Sequence, residues 1–530
     1  MIEALQPCLS KGLMNALLAA TAVLAAVPAP PMDLPARTTP RAQAPSATWI
    51  VGAARPASAL AERFGARALG QGAYAIAAAK ARPFAAALRG RGLLFFAERD
   101  APRTRRSALE SAPDAWGRGA VVPSTLVPPS PTAAPIAVID DFVDDTLPDL
   151  ASGHVRYLNR NVDSRIEGPH GTMVASAASA AADGAGILGV LPGNTILSGG
   201  VPTEFTCADT TPLIYAAIRA KARVINMSYG SHQRCFAEYI ALQFALSQGI
   251  LAVAATGNEL TEGNAVSFPA GLPHVLSVAA LDEDLSPSYF STANAAVDVA
   301  APGNDVPLNI PLAFDDDGTR DGLTLAGGTS FAAPIAAGAA AWLLSARPEL
   351  SGAQAGDLLR STALDVAAKG YDVNAGYGLI NIERALAAPT PRRDPIEPND
   401  GLEWVDGRAF KNPDPFVWRG GSRFGFEATV DEIEDPVDVY RFRVKARTRA
   451  RITVNPSSGD PALLVLRSGT KSFSQKGRVL GSSSKPSGTT EVVRLRNTAT
   501  RPRWAFAVVL NDTDARALNV RYRLGFKRIG

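Results

Sequence analysis

Ile136-Ala137-Val138-Ile139-Asp140-Asp141 is the stretch on which the fold turns. Four apolar residues in a row, without the polar alternation of a half-exposed strand, mark a strand buried on both faces of a parallel sheet. The run ends in two carboxylates. Similar runs recur at Val224-Ile225-Asn226-Met227, Ile250-Leu251-Ala252-Val253-Ala254-Ala255 and Val275-Leu276-Ser277-Val278-Ala279. Helical patterns lie between them, over 173–182, 212–222 and 238–248. This alternation over 136–388 predicts an α/β domain, a doubly wound, mostly parallel sheet flanked by helices. In such sheets functional groups gather at the C-terminal ends of the strands. Asp140 stands at one such end, and Asn258 follows another.

Upstream, 48–51, 73–77 and 93–97 read as strands, and 57–64 and 83–88 as helices. They form a small α+β unit over 48–100. Residues 101–135 carry recurrent prolines and arginines and read as an exposed linker; 30–47 read as another. At the front, Lys11, an apolar run over 13–27 and then Pro28-Ala29-Pro30-Pro31 read as a secretory signal over 1–29, against the alternative of a frayed Ala-rich helix. The run is short for a membrane span, and no later segment suits one. The mature chain is therefore expected to be extracellular, without an integral membrane segment. Downstream of a Pro-rich linker at 389–395 the hydrophobic period becomes two. Tyr440, Phe442 and Val444 alternate with Arg441, Arg443 and Lys445, and Val520, Tyr522, Leu524 and Phe526 with Arg521, Arg523 and Lys527. That pattern predicts an antiparallel β-sandwich over 397–530.

With 46% hydrophobic and 19% charged residues, the 530-residue chain has ample core material for several domains. Its net charge of +3, with no basic cluster interleaved with aromatics, gives nucleic-acid binding no support. Of three cysteines, Cys8 would leave with the signal. Cys207 and Cys235 then form either a disulfide, suited to an oxidising compartment, or two buried thiols.

The chemistry-bearing stretch is Gly327-Gly328-Thr329-Ser330-Phe331-Ala332-Ala333-Pro334, followed by a small-residue apolar run that reads as a buried helix. Ser330 falls at its N-terminus, a capping position where the helix dipole also favours negative charge. A nucleophilic serine needs a base, and the base an orienting carboxylate. The chain has four histidines. His170 stands in Pro169-His170-Gly171-Thr172-Met173-Val174-Ala175 at a helix start. Each motif alone is weak. Asp140, His170 and Ser330 together, in that order and context, are strong.

On these motifs the chain resembles the subtilisin-like serine proteases, the subtilases, over 136–388. The resemblance implies an α/β subtilisin-like fold and hydrolysis of protein or peptide substrates, with Asp140, His170 and Ser330 as the catalytic triad. It makes Ala254-Ala255-Thr256-Gly257-Asn258-Glu259 the oxyanion segment, with the Asn258 amide as donor. It makes Val224 to Gly230 the strand that pairs with substrate, Ser228, Tyr229 and Gly230 bordering it and Ala254, Ala255 and Thr256 beside it. Tyr229 and Ala254 suggest a pocket tolerant of apolar residues, and Glu259 gives its rim basic preference. Residues 48–100 then look like an inhibitory propeptide, the alternative being an accessory domain. Residues 397–530 resemble the bacterial pre-peptidase C-terminal domain, through Glu397-Pro398-Asn399-Asp400 and Asp435 to Tyr440. No cofactor is required. Structural calcium enters through the family alone, for Asp144, Asp145, Asp149 and Asp315-Asp316-Asp317 form no ligand pattern and read as acidic turns. A monomer is expected. Phe142 stands where the family usually has Gly, so the turn after Asp140 must differ. That departure, with the sandwich, motivates the alternative of an impaired subtilase scaffold serving as a binding or adhesion module.

Overall fold

The computed structural model describes residues 48–529 except 106–107, 110–115, 152–153, 160–167, 185, 392–396, 406–415, 432–434, 472, 474, 476 and 512–519. The signal read at 1–29 and the linker at 30–47 lie outside the described residues.

The N-terminal unit comprises β1 (Thr48–Ala53), α1 (Ser58–Phe64), β2 (Arg67–Gly70), β3 (Ala73–Ala77), α2 (Ala78–Arg89) and β4 (Leu94–Arg99), with an antiparallel sheet in the order β2-β3-β1-β4. One sheet face packs on its own two helices through Val51, Phe84 and Leu88. The other face joins the core of the next domain through Ile50, Ala75 and Phe96.

The stretch read as an exposed linker is not one throughout. It holds β5 (Pro102–Arg105), β6 (Ala108–Leu109) and α3 (Trp116–Val121). Val121, Val122 and Ala134 are buried. The recurrent prolines misled because extended segments that borrow a partner strand carry no hydrophobic period of their own.

The α/β domain follows: β7 (Ile136–Asp140), β8 (Val155–Tyr157), α4 (His170–Ser179), β9 (Ile196–Gly200), β10 (Phe205–Thr206), α5 (Cys207–Arg219), β11 (Val224–Met227), β12 (Tyr229–Gly230), α6 (Phe236–Ser247), β13 (Leu251–Ala255), β14 (Val275–Leu281), β15 (Val299–Pro302), β16 (Val306–Asn309), β17 (Leu323–Gly327), α7 (Thr329–Ala346), α8 (Gly352–Ser361) and α9 (Ile382–Ala387). Seven parallel strands run in the order β15-β14-β13-β11-β7-β9-β8. Helices cover both faces, as the unbroken apolar runs require. Ile136, Val138 and Val253 share a core with Val174 of α4 and Phe331 of α7. Ala137, Ile139 and Ala252 share another with Ile214 of α5 and Tyr239 of α6. Among the described residues α7 alone is long and apolar enough to cross a membrane, and it is buried in this core. Gly338 lets α7 lie close to α4, since a Cβ there would stand 2.7 Å from Val190 Cβ and 3.0 Å from Ala178 O.

The C-terminal domain adds α10 (Leu402–Val405), β18 (Phe416–Trp418), β19 (Arg423–Val430), β20 (Val437–Val444), β21 (Arg449–Pro456), β22 (Pro461–Arg467), β23 (Val479–Ser483), β24 (Glu491–Arg496), β25 (Arg503–Asn511) and β26 (Val520–Ile529). Two sheets, β18-β20-β25-β22-β23 and β19-β26-β21-β24, face each other. The period-two residues Tyr440, Phe442, Ile452, Tyr522 and Phe526 fill the space between them. The domain is joined to α6 by its first residues. Trp404 packs on Tyr239 with ring centroids 5.9 Å apart, and Asp400 accepts from Gln243 Nε2 at 3.3 Å.

Asp438 of β20 is buried in this sandwich, where Tyr522 donates its hydroxyl to Oδ2. Burial pushes its carboxyl up to about 7, against the pull of the Tyr522 and Asn399 hydrogen bonds and with that of the nearby Asp400 charge. A carboxyl raised on folding holds a proton in the native state where the unfolded chain has lost it. Its contribution to stability is complete below the unfolded value and is lost as pH rises through about 7. The melting temperature of the sandwich should therefore fall as pH rises from about 4 to about 7, and Asp438→Asn should flatten that slope in a calorimetric pH series. An unchanged slope would remove Asp438 as its source.

Candidate active site

Asp140 closes β7, and His170 opens α4. Asp140 is fully buried and His170 is 5% exposed. His170 Nδ1 lies 2.8 Å from Asp140 Oδ1 and 2.9 Å from Oδ2. A carboxylate only accepts, so Nδ1 carries the proton and Nε2 keeps the basic lone pair. Nε2 is buried and has no hydrogen-bond partner among the described residues.

The second acid of the pair has a separate task. Asp141 donates its N–H to Asp140 Oδ1 at 2.8 Å, and its Oδ2 accepts the His170 N–H at 3.2 Å. It thus satisfies a helix-start donor and fixes the backbone that carries the imidazole. Gly171 is obligatory there, because a Cβ would stand 2.2 Å from Asp141 O. Phe142 is buried, its ring over Gly200 and 6.0 Å from that of Tyr157. Any Cβ at Gly200 would fall 2.4 Å from the Phe142 ring, so a glycine on the neighbouring strand makes room for the departure, and the Asp140–His170 pair is kept.

Ser330 is not the helix cap that its position suggested. Gly328 occupies that place, and Ser330 is the second residue of α7. Its hydroxyl donates to Ser228 O at 3.1 Å, while Ser228 Oγ donates to Ser330 O at 2.7 Å. Pro334 explains the second bond: four residues on, it has no N–H to give the Ser330 carbonyl, and Ser228 takes the place of the missing helical donor. Phe331 sets its ring 5.7 Å from that of His170, which brings the start of α7 against the histidine.

Asn258 Oδ1 accepts from Thr329 N–H at 3.0 Å and Thr329 Oγ1 at 2.9 Å. A backbone N–H can only donate, so the atom facing it is the oxygen and the amide nitrogen points the other way. Ala254 and Ala255 lie in the buried strand β13, and the Thr256 hydroxyl donates to Val278 O at 3.2 Å. The Tyr229 side chain is buried, and its hydroxyl donates to Glu238 Oε1 at 3.1 Å.

The backbone of Tyr229 and Gly230 is occupied. Arg105 stands opposite Tyr229 and Thr104 opposite Gly230, while Arg103 pairs with Phe205 on the other side. β5 is the central strand of three, laid between β10 and β12. Two carboxylates just ahead of it bind helix starts. Glu98 Oε2 and Oε1 accept the Phe236 and Ala237 N–H groups of α6 at 2.8 and 3.1 Å. Asp100 accepts from Thr206 Oγ1 at 2.8 Å and Ala208 N–H at 3.3 Å at the start of α5. These groups went unread in the sequence, although acids directly before a basic extended run are the signal that could have marked them. Cys207 and Cys235 form a disulfide between the same two helix starts, with Cα atoms 6.4 Å apart.

Among the described residues one group has the spacing of a metal site: His274, Glu397, Asp400 and Asp435, with ligand atoms within 4.8 Å of one another. Calcium takes oxygen ligands. This set centres on an imidazole nitrogen already 3.1 Å from Asp400 Oδ1, so it does not fit calcium and reads as an ion pair at the domain junction. Asp144, Asp315 and Asp317 accept hydrogen bonds from N–H groups a few residues on, and Asp149 accepts from the Ile187 N–H and Asn309 Nδ2.

The Subtilase family profile matches residues 132–378. Subtilisin from Bacillus pumilus is 34% identical over 257 residues, covering 47% of this chain and 90% of that protein. Fervidolysin from Fervidobacterium pennivorans is 31% identical over 296 residues, and the match spans 49% of this chain and 42% of that protein. The crystal structure of fervidolysin, described as a keratinolytic enzyme related to subtilisin, superposes with a TM-score of 0.58 over 88% of each chain at 19% identity, a likeness of fold.

Proposed function

Because the chain belongs to the subtilase family, we propose that it is a secreted serine endopeptidase made with its own inhibitor in front. One observation carries this reading: the Asp140–His170 pair at 2.8 and 2.9 Å lies beside the helix start that bears Ser330. A substrate strand adds to β12 through main-chain hydrogen bonds. Ser330 Oγ leaves Ser228 O, passes its proton to His170 Nε2 and attacks the scissile carbonyl carbon. Asp140 holds the imidazolium so formed. The Asn258 amide and the Ser330 N–H meet the oxyanion. His170 returns the proton to the amine as the C–N bond breaks, and water then hydrolyses the acyl-enzyme.

Residues 48–100 are the inhibitor in this reading. Its support is that Glu98 and Asp100 cap α6 and α5 and lead directly into a strand that fills the substrate's place. The test is labelling by a fluorophosphonate. Processed wild type should label and Ser330→Ala should not; equal labelling of the two would end the serine-protease reading. Asn258→Leu should lower kcat by about 10²–10³, the figure measured on subtilisin, with KM nearly unchanged. A rise in KM alone would make Asn258 a binding residue.

A further inference from the structure

We propose that the C-terminal sandwich holds an anionic polysaccharide on a row of four cations, Arg423, Lys527, Arg451 and Arg494, which crosses all four strands of its outer sheet.

The row follows from register. Arg423 of β19 stands opposite Lys527 of β26, Lys527 opposite Arg451 of β21, and Arg451 opposite Arg494 of β24. Their strand neighbours Phe526, Ile452 and Val493 fill the inside of the sandwich, so the alternation turns all four cations outward. Arg423, Lys527 and Arg494 are exposed, and Arg451 is half-buried. The next pair along β21 and β24 is again two cations, Arg449 opposite Arg496. Among the described residues one acid faces outward from these strands, Glu427, and it pairs with Arg523 at 3.6 Å.

The fold does not call for this row. Like charges directly opposite one another destabilise a sheet. Charged edge strands guard against edge-to-edge pairing, which accounts for Arg423 and Arg494 on β19 and β24. It does not account for Lys527 and Arg451 on the two inner strands. Solubility is met by interspersed signs, as at Glu427 and Arg523. The face is also clear of the α/β domain. The other sheet turns Val439, Leu464 and Val508 into the core shared with Trp404 and Tyr239, which leaves the row on the far side of the sandwich.

The chemistry of the row selects its occupant. Guanidinium is a planar fork that matches carboxylate and sulfate oxygens two at a time. Adjacent strands are about 4.8 Å apart, so the row runs about 14 Å and offers one cation per strand spacing. An acidic sugar chain lying across the strands meets it with one anionic unit after another. An extended acidic peptide puts its same-side carboxylates about 6.7 Å apart and falls out of step. Single-stranded nucleic acid is held by stacking on aromatic rings, and the outward positions of these paired strands carry none. A duplex is read by an element that enters its groove, which a sheet face lacks. An anionic membrane is bound through apolar residues buried beside the cations, and the row has none.

The full chain carrying Ser330→Ala is titrated with heparin, polygalacturonate, dextran, duplex DNA and phosphatidylglycerol vesicles. Heparin reads sulfate and polygalacturonate reads carboxylate; at least one should bind, and dextran should not. Affinity should fall at least about tenfold between about 50 and 200 mM salt. Changing Arg423, Lys527, Arg451 and Arg494 together to Gln should weaken binding by at least about tenfold. Four exposed cations of the α/β domain, Arg219, Lys221, Lys369 and Arg384, changed to Gln as a control for net charge, should hold it within about twofold. The row variant loses only repulsion, so its melting temperature should stay or rise. Arg423→Gln with Arg494→Gln, at the two edges alone, should lose at least about threefold and leaves the inner strands untouched. No binding to either acid chain overturns the proposal. So do equal losses in the row variant and the control, no loss in the edge variant, or DNA or vesicles bound as tightly as the acid sugars. None of these outcomes bears on the chemistry at Ser330.

Discussion

Ser330→Ala should accumulate as uncleaved precursor, with kcat lowered by about 10⁶, the scale of the same deletion in subtilisin. The variant is informative because it costs the fold little. Ser330 is 1% exposed in the first turn of α7, and alanine is a good helix former. The substitution removes the hydroxyl's bond to Ser228 O, worth about 1 kcal/mol. It leaves the opposite bond, Ser228 Oγ to the Ser330 carbonyl, because that acceptor is backbone. Melting should therefore shift by a few degrees at most, while turnover vanishes. Processing is read on the same sample by mass. β5 stays paired, and the Glu98 and Asp100 caps are untouched, so the uncut chain should remain a folded complex of inhibitor and enzyme. Normal processing of Ser330→Ala in a host without other proteases would show that the chain does not cut itself.

Much of this arrangement is written in local pattern. Buried strands such as Ile136 to Ile139 announce themselves because both faces are covered, and the period-two residues of the sandwich because one face is. The motifs around His170 and Ser330 are legible because each is a helix start with small neighbours. What escaped is long-range. β5 owes its conformation to β10 and β12, about a hundred residues away, and has no period by which to be recognised. The cap on α7 is Gly328, and the Ser330 hydroxyl turns instead to Ser228, 102 residues earlier, a partner that helix rules do not include. The Tyr229 hydroxyl meets Glu238, a buried acid that also accepts from Thr210 of α5, and no local pattern reports that meeting. Phe142 read as a threat to the site. It is accommodated by Gly200 on the next strand, a compensation that no window around Asp140 contains.

Asp140→Asn should lower kcat by about 10⁴ with the fold intact, and the neighbouring acid supplies its control. Both oxygens of Asp140 face His170 Nδ1, at 2.8 and 2.9 Å, and Oδ1 also accepts the Asp141 N–H at 2.8 Å. An asparagine must keep its oxygen at the Oδ1 position, since an NH₂ there would meet the Asp141 donor head-on. Its amide nitrogen then takes the Oδ2 position, against Nδ1. Facing a donor, Nδ1 must become the acceptor, and the ring proton moves to Nε2. The histidine keeps its place and loses the lone pair that should receive the Ser330 proton. Asp141→Asn makes no such demand. The asparagine oxygen can still accept the His170 N–H, which Asp141 Oδ2 now does at 3.2 Å, and the tautomer is unaffected. Its loss should stay under about tenfold. Measured per labelled active site, a larger loss from Asp141→Asn than from Asp140→Asn would transfer the orienting role to the second carboxylate of the pair.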